Sequence, residues 1–181
     1  PPNLGLNIPY FSLGLYVFNK EQFTIEPATK FDKANRNTSF YLSPRIGVKE
    51  LVFTENKKYP IYTLHFSRLR KLSDKISYTL FADWMYNMAL KSELNASEVV
   101  LKNKLSYTQL GVGAGIENTY GTLAGYLQMG IYLYTPHKED GFFYNRLGIK
   151  KEVTRGCYIS LGIKSHFAQA DYLEIGGGIK L

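Results

Sequence analysis

The feature that most restricts the fold of this 181-residue chain is a two-residue alternation of apolar and polar side chains. In the last segment Leu173, Ile175 and Ile179 alternate with Glu174 and Lys180. Successive side chains point to opposite faces only in an extended strand, so the pattern predicts strands with one apolar face. It recurs in about nine segments: 8–19, 39–54, 58–71, 75–91, 104–117, 121–135, 142–153, 156–168 and 170–181.

These segments are long for strands of a globular protein, which usually have about five or six residues. A tilted strand that crosses a bilayer needs about 9–11 residues, which all of them reach. Tight turns are predicted at Ser73-Asp74, Tyr120-Gly121 and Ala168-Gln169, and longer polar loops at 20–37, 92–103 and 136–141. Short turns at one end and long loops at the other are typical of transmembrane barrels.

A soluble β-sandwich or lipocalin-like barrel also alternates, with its apolar face inward. The polar faces here are rich in Gly, Ser and Thr and carry isolated charges, among them Glu117, Arg146, Lys164 and Glu174. A solvated surface usually carries more charge, whereas a crowded polar lumen suits this mixture. We therefore predict an all-β, antiparallel, up-and-down transmembrane β-barrel, with residues 1–181 forming a single domain.

The composition agrees with a membrane barrel and disfavours a nucleic-acid partner. The net charge is +7, but the basic residues are scattered, and the chain has 15 Tyr, 11 Phe and 16 Gly. Aromatic residues form the interfacial girdles of membrane barrels, and basic groups can meet anionic headgroups. Cys157 is the single cysteine, so it excludes an internal disulfide and a cysteine-based metal cluster, and we interpret it as a small apolar residue.

The opening Pro2-Asn3-Leu4-Gly5-Leu6-Asn7, followed by a predicted strand, resembles a segment of the PagL-type lipid A deacylases. The resemblance is to the longer Bacteroidetes relatives known as acyloxyacyl hydrolases, in which a strand ends in His-x-Ser-Asn and Pro-Asn-x-Gly follows. The stretches "LQMGIYLYTP…FFYNRLGIK" and "IKSHFAQADYLEIGGGIKL" also resemble the closing strands of that branch.

The resemblance implies a Ser–His mechanism, in which the His takes the proton of the nucleophilic Ser. Carried onto this sequence, Asn3 is a candidate oxyanion donor. Asn7 takes the position of the acidic residue that orients the His in short-branch members; an amide can orient a His but supplies no charge. The alternative for both residues is ordinary turn chemistry before a strand.

The family's His and Ser are expected just upstream of Pro1. The chain is then the C-terminal part of a larger barrel, because about nine strands is an odd count and complete bacterial barrels favour even counts. Upstream strands or another polypeptide are expected to complete it.

His65-Phe66-Ser67 is an internal His-x-Ser, and both side chains share a strand face with Thr63. Arg68 follows it instead of Asn, so we interpret it as a coincidence on a lumen-facing strand. His166 with Asp171 and Glu174 is weak evidence for a metal site, and we interpret these residues as polar groups of the lumen or turn. His137 is predicted to lie in a solvated loop.

These patterns predict a barrel of the bacterial outer membrane, and the resemblance implies that its parent hydrolyses a fatty-acyl ester of lipid A or a related lipid. The expected partner is outer-membrane lipid or lipopolysaccharide, and no metal or cofactor is expected. This chain alone is predicted to be inactive, since its nucleophile and base lie outside it. The alternative is a non-catalytic barrel that acts as a pore, a scaffold or a subunit of an envelope complex.

Overall fold

The computed structural model describes residues 38–51, 57–90, 92, 94, 107–136, 141–166 and 169–181. Eight strands account for most of them: β1 Thr38–Leu51, β2 Lys57–Lys71, β3 Ile76–Asn87, β4 Thr108–Tyr120, β5 Leu123–Tyr134, β6 Phe143–Thr154, β7 Cys157–His166 and β8 Gln169–Lys180. None of the helical residues within these ranges belongs to a helix long and apolar enough to span a bilayer.

The eight strands form one closed antiparallel barrel in which each strand pairs with its neighbours in sequence. Closure comes from β1 pairing with β8, where Tyr41 lies opposite Lys180 and Val48 opposite Leu173. The barrel fold is therefore confirmed, but the described residues close it with eight strands instead of about nine, so the expected larger barrel is wrong. The pairing of β1 with β8 leaves no free edge between them, which removes the reason for expecting strands from elsewhere. The predicted strand 8–19 lies outside the described residues.

The turns divide the barrel into two different ends. Residues 72–75, 121–122 and 155–156 connect strands at what we call the short-turn end. Gly121 and Gly156 have φ of 61° and 84°, which glycine adopts without steric cost. The predicted hairpin around Ser73-Asp74 is confirmed, since Lys71 lies opposite Ser77. The predicted turn at 168–169 instead joins β7 to β8 at the opposite, long-loop end, so short connections occur at both ends.

The two faces of each strand follow the predicted alternation. Leu173 and Ile175 are 61% and 59% exposed on the outer wall, whereas Glu174 between them is 2% exposed inside the barrel. Lys180 lies at the short-turn mouth, where it lines an open cavity. The outer wall is thus apolar along its length, as a surface facing hydrocarbon must be.

Glycines on the lumen face make room for large side chains inside this narrow barrel. A Cβ placed on Gly130 would lie 2.8 Å from Cε1 of Tyr144, and one placed on Gly111 would lie 2.9 Å from the same atom. Gly113 makes similar room for the ring of Phe81. The interior of an eight-stranded barrel is just wide enough for packed side chains, so these aromatic residues fill the lumen only because glycines face them.

Gly130→Val is therefore expected to destabilise the barrel by about 1–3 kcal/mol, because the added side chain overpacks against Tyr144. Gly125→Val is the matched control on the same strand: a Cβ there has no neighbour within 4 Å. Urea unfolding in lipid vesicles, followed by the fluorescence of Trp84, measures both variants. Equal stability of the two variants would contradict the packing of Tyr144 against Gly130.

Candidate functional site

A network of buried polar side chains crosses the lumen at mid-height. Asp83 of β3 accepts hydrogen bonds at Oδ2 from Tyr144 Oη (2.6 Å) and from Arg146 Nη1 (2.5 Å), both on β6. Arg146 Nε lies 3.2 Å from Glu174 Oε1 on β8, which also accepts a hydrogen bond from Arg45 Nη1 at 2.6 Å. The central network comprises Arg45, His65, Asp83, Tyr144, Arg146 and Glu174.

Charge in the central network is balanced, with two guanidinium groups facing two carboxylates. Buried charges are tolerated when they are paired and hydrogen-bonded, and Arg146, which is 0% exposed, touches both acids. Its guanidinium also lies 5.1 Å from the centroid of the Tyr144 ring. The network ties β3 to β6 and β8 across the lumen, in addition to the ladders between neighbouring strands.

His65 belongs to the same network through its neighbour on β3. His65 and Asp83 lie opposite each other in the β2–β3 ladder, and His65 Nδ1 donates to Asp83 Oδ1 at 2.7 Å. On its other side, in the β1–β2 ladder, His65 lies opposite Ser43. Three neighbouring strands thus carry Ser43, His65 and Asp83 on one rung, all pointing inward.

This rung contains the residue types of a serine hydrolase, but it lacks the access that hydrolysis needs. A His held by a carboxylate through Nδ1 is oriented to act as a base. His65 and Ser43 are 1% and 0% exposed, and Asp83 also holds Arg146 and Tyr144. Within the described part of the chain, Ser43 Oγ makes no hydrogen bond. Because Ser43 and His65 are buried, an ester carbonyl has no route to Ser43. The arrangement instead stabilises the packing of neighbouring strands inside the lumen.

The predicted sharing of one face by Thr63, His65 and Ser67 is confirmed, since all three are buried in the lumen. Ser67 lies opposite Tyr41 in the β1–β2 ladder and opposite Phe81 in the β2–β3 ladder. It is two residues along the strand from the rung that contains His65 and Asp83. The sequence motif therefore identifies a lumen-facing stretch. The hydrogen-bonding partner of His65 is not Ser67 on the same strand but Asp83, which lies opposite His65 on β3.

A second group, the upper cluster, lies nearer the long-loop end and comprises Lys49, Tyr132, Lys164, His166 and Asp171. Asp171 Oδ1 lies 2.7 Å from Lys49 Nζ, and Asp171 Oδ2 lies 3.2 Å from Lys164 Nζ. The register of the β7–β8 ladder shifts between Lys164 and Ser165, and such a shift re-aims a side chain. Asp171 consequently lies close to both lysines.

Of the three residues weighed as a metal site, only His166 and Asp171 lie close together. His166 Nδ1 lies 3.6 Å from Asp171 Oδ2, and its Nε2 lies 2.9 Å from Tyr132 Oη. Glu174 instead belongs to the central network through Arg45 and Arg146. No set of three or more His, Cys, Asp or Glu side chains arranged to hold a metal occurs among the described residues.

The short-turn mouth opens into a cavity of about 700 Å³ on the opposite side of the central network from the upper cluster. Tyr41 and Tyr158 meet edge to face there, with ring centroids 5.7 Å apart, and Lys150 Nζ lies 5.0 Å from the Tyr158 centroid. Lys150 is ion-paired with Glu117. These side chains line the cavity together with Cys157, a free and partly buried thiol.

The candidate oxyanion and orienting residues, Asn3 and Asn7, lie outside the described residues, as does His137. Their proposed roles stay predictions. The sequence contained a weak signal for the central network, because Asp83, Arg146 and Glu174 are charges isolated on Gly, Ser and Thr faces. It contained no signal that these three residues meet.

Comparison with solved structures finds a similar fold in a protein from work on the de novo design of transmembrane β-barrels. The TM-score is 0.50 at 13% sequence identity, over 79% of this chain and 95% of the designed chain. This likeness concerns the fold alone and agrees with a membrane-spanning barrel. The search of curated proteins found no match.

The comparison with protein-family models concerns the evolutionary relationship of the chain. The model of the acyloxyacyl hydrolase C-terminal domain matches residues 36–181, which begin two residues before β1 and include all eight strands. The match covers most of the chain and the whole of the closed barrel. The predicted resemblance to PagL-type proteins is thereby confirmed at the level of the family, and the chain belongs to the acyloxyacyl hydrolase C-terminal domain family.

Proposed function

We propose that the chain is the membrane barrel of an outer-membrane hydrolase that removes a fatty-acyl ester from lipid A or a related lipid. The observation that carries the proposal is the family match over the complete barrel. In this proposal the parent uses a Ser–His pair located upstream of Pro1. The His takes the proton of the Ser as the Ser attacks the ester carbonyl, and the lipid hydroxyl then leaves with that proton. Water hydrolyses the resulting acyl-Ser and releases the fatty acid.

The barrel's contribution in this proposal is to hold the catalytic segment at the membrane. Its apolar outer wall places the chain where acyl lipids are, and its ion-paired lumen gives a rigid anchor. Asn3 would donate to the oxyanion and Asn7 would orient the His. Location in the bacterial outer membrane, lipopolysaccharide as the lipid partner and assignment to the long Bacteroidetes branch belong to the same proposal.

The alternative of a solute pore is disfavoured by the central network. Arg146 reaches Asp83 and Glu174 across a lumen that the rings of Tyr144 and Phe81 also occupy. An aqueous channel requires a wider barrel, of the size seen in porins with about 16–18 strands. A non-catalytic scaffold or subunit of an envelope complex stays the second candidate, because an anchored, filled barrel suits it equally well.

The test is the release of fatty acid from lipid A in detergent by the 181-residue chain and by the parent protein that includes the upstream segment. The parent is expected to release fatty acid, and the chain alone none. Asn3→Ala in the parent should lower turnover by about 100-fold or more if Asn3 is an oxyanion donor. An inactive parent would favour the scaffold.

Two serine variants check where the nucleophile lies. Ser43→Ala and Ser67→Ala are expected to leave the parent's turnover nearly unchanged, because both hydroxyls are buried in the lumen. They are better probes than a variant of His65, whose loss would also disturb the pairing of Asp83. Activity of the 181-residue chain that disappeared in either serine variant would move the catalytic site into the lumen.

A further inference from the structure

The outer wall carries an apolar groove of about 680 Å³ that runs from the short-turn end at Ile76 to the middle of the wall at Leu173. Its size falls within the range of about 300–1,000 Å³ that is usual for small-molecule sites. Two consecutive rungs of outward-facing residues on neighbouring strands form it. The rung nearer mid-height contains Ile116, Leu127, Leu147, Ile163 and Leu173, and the next contains Ile76, Asn118, Gly125, Ile149 and Leu161.

Gly125 makes a notch in the second rung. It lies between Asn118 and Ile149 in its two ladders, and a Cβ placed on it would have no neighbour within 4 Å. The glycines of the lumen face accommodate aromatic rings, but nothing in the described barrel occupies the space at Gly125. Asn118, an amide on an otherwise apolar wall, donates from Nδ2 to Tyr120 Oη at 3.3 Å.

The next rung toward the short-turn end is amphipathic and basic. Tyr120 lies opposite Leu123, which lies opposite Lys151 in the following ladder. Lys75 Nζ lies 5.9 Å from the centroid of the Tyr120 ring, and the side chains of Lys75, Tyr120 and Lys151 are exposed. Tyrosines and lysines at this position on a membrane wall mark the level of the lipid headgroups. Apolar rungs, an amide and then cations thus follow one another along the strands toward the short-turn end.

We propose that this groove binds an anionic diacyl phospholipid of the leaflet at the short-turn end. One acyl chain lies across the Gly125 notch on the two apolar rungs. The glycerol ester region meets the amide of Asn118, and the phosphate lies between Lys75 and Lys151. The order of groups along the wall matches the order of groups in the lipid, and the cations complement its charge. The proposal rests on the barrel and its outer wall, and it requires no hydrolysis.

The test uses phosphatidylglycerol that carries a photoactivatable diazirine in its acyl chain, in phosphatidylcholine nanodiscs that contain the 181-residue chain. After illumination, peptide mass spectrometry is expected to find cross-links concentrated in 116–127 and 147–163. Gly125→Leu should lower this labelling at least fivefold, since the new side chain fills the notch. Gly177→Leu is the matched control: a Cβ there has only ordinary contact, 3.6 Å from a backbone oxygen, and its labelling should stay unchanged.

The headgroup is tested separately. A lysine near an anionic headgroup contributes about 1 kcal/mol, so Lys75→Ala and Lys151→Ala should each weaken the preference for phosphatidylglycerol over phosphatidylcholine by about fivefold. Lys58→Ala, at the long-loop end, should not change it. Urea unfolding checks that Gly125→Leu remains folded. Labelling spread evenly around the wall, labelling unchanged by Gly125→Leu, or displacement of the lipid by inorganic phosphate would each overturn the proposal.

Discussion

Asp83→Ala is expected to destabilise the barrel by about 3–5 kcal/mol, the cost of removing one partner from a buried ion pair. Asp83 receives Arg146, Tyr144 and His65, and all of these groups are buried. Its removal leaves the Arg146 guanidinium with Glu174, a carboxylate that Arg45 already contacts. Urea unfolding in lipid vesicles, followed by the fluorescence of Trp84, measures the loss.

Two further variants separate the charge effect from general damage. Asp74→Ala alters an exposed carboxylate in the β2–β3 turn and is expected to change stability little. The double variant Asp83→Leu with Arg146→Met should recover most of the loss, because apolar residues of similar volume can replace a buried ion pair at little cost. If the double variant were as unstable as Asp83→Ala, shape would matter at this position more than charge.

The His65–Asp83 contact follows from the β2–β3 register, which the predicted turn gives to within one residue. A turn at Ser73-Asp74 is centred between these two residues, whereas the observed pairs are symmetric about Asp74, as Lys71 opposite Ser77 shows. His65 and Asp83 are equally far from that centre and therefore pair. Alternation, turn position and register are local properties, so a single sequence carries them.

The contacts of Arg146 are of a different kind and could not be predicted. Arg146 lies 63 residues from Asp83 and on a strand that is not its ladder neighbour. Whether the two side chains lie at the same height depends on closure between β1 and β8 and on the stagger that closure imposes. Alternation gives the face of each residue but not its height in the closed barrel. The closure of the barrel with eight strands has the same origin, because it depends on the pairing of β1 with β8, which alternation does not reveal.

Ile175→Arg is expected to destabilise the barrel by about 2–4 kcal/mol, the cost of an Arg on the lipid face near the bilayer midplane. Ile175 lies halfway along β8, opposite Ile46 and Leu161, and 59% of it is exposed on the outer wall. Ile179→Arg is the matched control on the same strand and face. Ile179 lies next to the short-turn mouth, where the cost falls to about 0–1 kcal/mol because the guanidinium can reach the headgroups. Equilibrium unfolding in lipid vesicles compares the two variants with the unmodified chain. Equal losses at the two positions would contradict a depth-dependent lipid contact, whereas a larger loss at Ile175 would place the bilayer midplane at the middle of β8.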